Sequence, residues 1–238
     1  MTKNLKTPQT ILAVFAHPDD MDFSSSGTIA KWTKKGALVT YLVCTDGSKG
    51  SDDPNITPRK LAATRKKEQL RAAEILGVKE VMFLQYPDGE LIVNAKLKED
   101  ISRVIRQKKP ELVITLDPTF LYSTKFGFVN HSDHQAAGQA AIDAVFPLAR
   151  DRLNFPHHEK EGLAPHKTKT LLLVSLENPE HFEDISGTIE KKLEALRVHK
   201  SQIVSASDLE SRIRKRARGL GRTLGFRYAE GFKCINLS

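Results

Sequence analysis

Ile11-Leu12-Ala13-Val14-Phe15-Ala16-His17-Pro18-Asp19-Asp20 begins as six mostly apolar residues and ends in a histidine and two aspartates. Val, Ile and Phe without polar alternation predict a strand buried on both faces, and Pro18 stops it. In open α/β sheets, ligands bind just beyond the carboxyl ends of strands. Farther on, His131-Ser132-Asp133-His134 repeats the same chemistry immediately before an alanine-rich helical run over 134–145. Two imidazoles and a carboxylate suffice to hold a catalytic zinc with one coordination position left open.

Working outward, strands are predicted at 37–44, 81–84, 112–116 and 171–174. Helices are predicted at 24–35, ending at Gly36, and at 96–108. A further helix begins at Thr57-Pro58, a cap followed by proline in the first helical position, and runs to a Gly77 cap. Two more follow at 188–199 and 207–220, the second opened by a capping box of Ser207 and Glu210. The tail over 226–235 reads as an edge strand. Strands alternating with helices predict a mainly parallel α/β sheet covered on both faces. Neither a repeat nor a linker interrupts residues 1–238, so one domain is expected. Two segments lack such periodicity. The stretch 117–133 carries Phe120, Tyr122, Phe126 and Phe128, and loops of that length tend to be functional. The stretch 150–167 reads as irregular.

The net charge of +8 invites a nucleic-acid reading, with positive charge concentrated in Arg212-Ile213-Arg214-Lys215-Arg216-Ala217-Arg218. No zinc-finger spacing or aromatic RNA-binding pattern accompanies it, so a solvated helix face is expected and nucleic acid is not an expected partner. Neither a Walker loop nor a G-x-G-x-x-G follows a strand, which argues against nucleotide cofactors. No apolar run is long enough to span a membrane, no secretory h-region opens the chain, and the two cysteines, Cys44 and Cys234, form no framework. A cytoplasmic protein is the expectation; the oligomeric state is open, a homo-oligomer included.

His17 and Asp20 lie three apart, and His134 completes a two-histidine, one-carboxylate set. Such ligands suit one zinc per chain, although iron and manganese accept them too, and an oxygenase triad has the same ligand count. Asp19 tips the balance towards hydrolysis: it stands beside a ligand but is free to take a proton from a metal-activated water. His131 can donate to a developing oxyanion, with the Asp133 carboxylate holding its ring in the useful tautomer. Mere binding does not require a base beside the metal, which weighs against a non-catalytic sugar- or nucleic-acid-binding protein.

Ala16-His17-Pro18-Asp19-Asp20 together with His131-Ser132-Asp133-His134 resembles the LmbE-like superfamily of zinc deacetylases, which includes the phosphatidylinositol-glycan de-N-acetylases. Arg65-Lys66-Lys67-Glu68 is similar to the family's R-x-x-E helix, Asn130 to the residue before its second motif, and His199-Lys200-Ser201-Gln202 to a recurring H-x-S-Q. The resemblance covers nearly the whole chain. It implies a Rossmann-like sheet, zinc on His17, Asp20 and His134, Asp19 as general base, and hydrolysis of an N-acyl group, chiefly N-acetyl on an amino sugar or its conjugate. A thiol-conjugate amidase is the alternative within the superfamily. Substrate contacts are expected from Arg65, Tyr122 and Asn130, with a surface pair between Arg65 and Glu68 as the other reading of that arginine. Some members carry a tyrosine two residues before the second motif's first histidine. Val129 stands there in this chain, and Tyr122 is the candidate replacement.

Overall fold

Alternate residues of the first long strand face opposite ways, and both faces are covered. Ile11, Ala13 and Phe15 pack into one apolar layer, Leu12, Val14 and Ala16 into another, each at most 2% exposed. That double burial is why the stretch lacks polar alternation. The computed structural model describes residues 2–125, 127–203, 205–222 and 224–237; Phe126 of the aromatic loop therefore lies outside the described residues.

In chain order come strands β1 (Thr2–Lys3) and β2 (Thr10–Phe15), helices α1 (Asp20–Ser24) and α2 (Ser26–Thr33), then β3 (Leu38–Thr45) and α3 (Pro58–Leu76). β4 (Glu80–Tyr86), α4 (Ala95–Lys108) and β5 (Leu112–Leu116) follow, then the short strands β6 (Tyr122–Ser123) and β7 (Phe128–Val129). α5 (Ser132–Asp143) passes into a π-helical turn at Ala144–Leu148 and on to α6 (Pro156–Lys160). β8 (Thr170–Val174), β9 (His181–Asp184), α7 (Ile189–Leu196), α8 (Ala206–Arg222) and β10 (Ala229–Asn236) complete the chain.

The sheet has eight strands in the order β1-β9-β10-β8-β5-β2-β3-β4. All neighbours are parallel except β10, which runs antiparallel to β8 and β9. Helices α2, α3 and α7 supply the layer against Ile11, Ala13 and Phe15, through Ile29, Trp32, Ala72, Leu76 and Ala195. Helices α4 and α5 supply the opposite layer, through Leu97, Ile101, Ile105, Ala137 and Ala141. After β2 the chain builds β3 and β4 on one side, then returns to lay β5 on the other. β2 is therefore the strand at which the winding reverses, and a crevice opens beyond its carboxyl end.

Several expectations need correction. The helix expected at 24–35 starts at Asp20 and breaks at Ser25, because the hydroxyls of Ser24, Ser25 and Ser26 each donate to carbonyls of the preceding turn. The tail is not an edge strand; β9, unforeseen in the sequence, covers it. β9 escaped notice because its buried side chains include His181 and Glu183, which satisfy each other at 2.8 Å. The irregular segment contains α6 and wraps a fully buried guanidinium. Arg106 donates to the carbonyls of Leu148, Ala149, Asp151, Asn154 and Phe155 at 2.8–3.4 Å.

Candidate active site

Both sequence motifs meet in the crevice beyond β2. Asp20 opens α1, and its carboxylate turns back so that Oδ2 accepts from the His17 backbone N–H at 2.7 Å. The same oxygen is 3.5 Å from His17 Nδ1, while Oδ1 is 3.1 Å from His134 Nε2. These three donor groups lie within 4.8 Å of one another, two nitrogens and one carboxylate converging on a common point. Among the described residues they form a fitting donor set for a divalent ion such as zinc.

The opposite ring nitrogens are held as such a site requires. Asn130 Oδ1 lies 2.9 Å from His134 Nδ1, leaving Nε2 to face Asp20, and the Asn130 amide donates to the Phe120 carbonyl at 2.7 Å. Asn130, expected to touch substrate, thus has its side chain engaged by His134 and the Phe120 carbonyl. His17 Nε2 sits between Asp133 Oδ2 at 3.2 Å and Asp88 Oδ1 at 3.1 Å. Outer carboxylates of this kind fix the tautomer and raise the ligand's basicity. Burial alone would lower the His17 pKa, but hydrogen bonds to Asp133, Asp20 and Asp88 outweigh it and push the imidazole up to about 12. Asp20 is held well below the usual carboxylate range, its burial outweighed by His134 and His17. A metal on Nδ1 would take the place of the proton that faces Asp20 Oδ2.

Asp133 does not hold His131 as expected. Its carboxylate is 3.9 Å from His131 Nδ1 and instead accepts from the Gly89 and Leu91 N–H groups at 2.7 and 3.1 Å, besides His17. The Asp133 backbone N–H donates to His131 Nδ1 at 3.0 Å, so His131 both caps α5 and carries its ring proton on Nε2. The tautomer is the useful one, set by the main chain. Its ring stands edge to face with His17, 4.7 Å between centroids, and is lowered in basicity by burial and by the neighbouring His17.

Asp19 has φ 94°, the left-handed region that non-glycine residues seldom occupy. Its N–H donates to Gln69 Oε1 at 2.7 Å, and its Oδ1 lies 3.4 Å from Arg65 Nη2. Burial raises its pKa to about 7, with Arg65 pulling down and Asp20 pushing up. Arg65 makes no surface pair with Glu68. It is 4% exposed and donates to the carbonyls of Pro18 and Gly47 at 2.8 and 3.0 Å. Gly47 is obligatory for that contact: φ is +64°, and a Cβ there would stand 2.9 Å from Pro18 and 3.0 Å from the guanidinium. Glu68 turns to Ser201, accepting from its N–H and hydroxyl, while His199 holds Asp22, which also accepts from Gln69. The 199–202 motif thus latches the helix that carries Arg65 and Gln69.

Asp88, Gln69 and Asp22 were not singled out from the sequence. Asp88 follows β4 after Pro87, and an acidic residue near the carboxyl end of a parallel strand was the available signal. Tyr122 is largely exposed on a hairpin strand, cross-strand from Val129 in register. Directly opposed residues project from the same face. The phenol therefore rises on the same face as Val129, directly across the hairpin from it.

The family model for PIG-L, described as GlcNAc-PI de-N-acetylase, matches residues 12–145, more than half of the chain. The chain belongs to that family. Diacetylchitobiose deacetylase of Thermococcus kodakarensis is 35% identical over 94% of this chain and 82% of its own length. The structure of N,N'-diacetylchitobiose deacetylase from Pyrococcus horikoshii, complexed with its inhibitor MPG, superposes with a TM-score of 0.89 at 31% identity, covering 96% of this chain and 84% of that one. A protein of Bacillus anthracis described as probable N-acetyl-alpha-D-glucosaminyl L-malate deacetylase 2 is 28% identical over 84% of each chain. Among the described residues of this PIG-L family chain, no helix is long and apolar enough to cross a membrane.

Proposed function

We propose that this protein is a zinc-dependent deacetylase that hydrolyses the N-acetyl group of an N-acetylglucosamine conjugate. One observation carries the reading: His17 Nδ1, Asp20 and His134 Nε2 converge on one point, with the independently held carboxylate of Asp19 next in the chain. A zinc bound there would polarise the amide carbonyl and lower the pKa of water.

The chain's own groups account for the rest. Asp19 takes the proton from the attacking water, and Arg65 keeps its carboxylate aimed through the 3.4 Å contact. His131, its proton on Nε2, donates to the amide oxygen as negative charge develops there. Asp19 then returns the proton to the departing amine, so that acetate and a free amino sugar leave. Leu121, Tyr122, Phe128 and Val129 form an exposed apolar rim running directly into Asn130 and His131. Such a rim suits the face of a sugar ring.

The test is acetate release from N,N'-diacetylchitobiose, N-acetylglucosaminyl malate and N-acetylglucosaminyl inositol, after chelation and after zinc is restored. Zinc-dependent acetate from at least one of them is expected. Zinc-loaded, folded protein that releases acetate from none of the three would reject the reading.

A further inference from the structure

A further group of side chains that could hold a metal ion lies outside the proposed active site and shares none of its residues. Glu99 on α4 meets His157 and His158 on α6, two elements far apart in sequence. His157 Nε2 is 2.7 Å and His158 Nε2 3.4 Å from the same oxygen, Glu99 Oε1. The two rings stand edge to face, 4.7 Å between centroids.

His158 decides what the group is for. It is fully buried; its Nδ1 has no hydrogen-bond partner, and its Nε2 has only the long 3.4 Å approach to Glu99 Oε1. A buried imidazole so poorly matched is unfavourable in a folded interior and calls for an explanation. A metal ion on Nε2 supplies one. Burial, reinforced by Arg103 and Arg106, lowers the basicity of His158, the direction that favours metal ligation. Glu99 is held ionised, its burial outweighed by the two histidines.

We propose that Glu99, His157 and His158 form a second zinc site, which clips α6 to α4. Three protein ligands leave room for water in the remaining position. On a tetrahedral zinc, nitrogen and oxygen donors stand about 3.3 Å apart. His158 and Glu99 already match that spacing. His157 must withdraw by about 0.6 Å to reach that spacing, and its half-exposed side chain is free to do so while giving the ion a way in. Arg103, 3.9 Å from the same Glu99 oxygen, does not fill the position, because both of its terminal nitrogens are engaged by Glu161.

The clip would act where the fold is least regular. α6 is a single short helix in the segment between the π-helical turn and β8; on its carboxyl side Glu161 pairs with Arg103, and His166 bonds to the Ala149 and Pro110 carbonyls. A ligand that binds only the folded chain stabilises it by mass action.

The experiment counts zinc per chain by equilibrium dialysis and elemental analysis, in wild type, Glu99→Gln and His157→Ala. Both variants change side chains at the surface end of the site, and circular dichroism would check that each is folded. One equivalent of zinc should be lost in both relative to wild type. In a His134→Ala background, which empties the catalytic site separately, zinc should still raise the melting temperature, by roughly 5–10 °C at about a hundredfold excess over Kd. Adding Glu99→Gln to that background should abolish the rise. Zinc counts equal to wild type in both single variants, or an undiminished rise in the His134→Ala/Glu99→Gln protein, would overturn the proposal. Because the readout is the Glu99- and His157-dependent equivalent, it stands or falls separately from the catalytic assignment.

Discussion

Asp19 and Asp20 are chemically identical neighbours whose carboxylates serve different partners, and the backbone between them is the reason. The left-handed turn at Asp19 sends one carboxylate towards Arg65, while Asp20 folds back onto His17 and His134. Strain of this sort persists only where its surroundings impose it, here the bond from the Asp19 N–H to Gln69. Asp19→Asn should therefore keep its metal and lose turnover by roughly a hundredfold or more. Asp20→Ala should lose metal and recover partly in excess zinc. Zinc stoichiometry measured beside turnover decides between them, and the reverse pattern would exchange the two roles. Asn130→Ala leaves all three ligands but frees the His134 ring, so zinc affinity should fall by roughly 10–100-fold. A competitive chelator titration measures it, and unchanged affinity would remove Asn130 from the ligand's support. Residue identity pointed to the candidate ligands but not to these supports: nothing in His131-Ser132-Asp133-His134 says that the aspartate contacts a histidine on another loop. That pairing exists only once β2 and α5 are side by side.

At the scale of elements, legibility followed the source of each element's stability. β2, β3, β5 and α4 bury continuous apolar faces, so composition and period disclosed them. β9 and the segment around α6 are held by buried polar groups, which leave no periodic trace. Arg106 shows the difference. Along α4 it reads as one more basic surface residue, yet it is 1% exposed and organises five carbonyls of the following irregular segment. Arg106→Met would fill similar space but leave those carbonyls unmatched, and should cost about 3 kcal/mol or more. Urea denaturation would report it; a loss below about 1 kcal/mol would mean that the segment finds other donors. The basic run on α8 has structural partners as well. Arg214 makes a two-nitrogen pair with Glu190 and Arg218 lies over Tyr228, so part of the positive charge belongs to the packing of α8 rather than to a reading surface.

Over the whole molecule, the two ends of the chain are joined by charge as well as by the sheet. Lys192 on α7 donates to Glu230 Oε1 on β10 at 2.7 Å and to the Phe23 carbonyl at 2.8 Å. Glu230 in turn accepts from the Gly27 and Thr28 N–H groups at the start of α2, at 3.0 and 2.8 Å. A carboxylate suits that helix terminus, where unpaired N–H groups carry partial positive charge. Both side chains are nearly inaccessible, 3% and 5% exposed. Four elements, α1, α2, α7 and β10, therefore share one buried ion pair directly behind the helix that bears Asp20. Lys192→Met fills the space of the lysine stem but leaves Glu230 buried without its cation. Breaking a buried pair from one side typically costs about 3–5 kcal/mol, which in a chain of this size should lower the melting temperature on the order of 10 °C. Replacing both partners, Lys192→Met with Glu230→Gln, removes the stranded charge while a side-chain oxygen still accepts from the helix. The double variant should then be more stable than the sum of the two single changes predicts, by roughly 1–3 kcal/mol. Thermal melts of the four proteins complete the cycle. Strict additivity would mean that the two groups are stabilised separately, Lys192 by the Phe23 carbonyl and Glu230 by the end of α2.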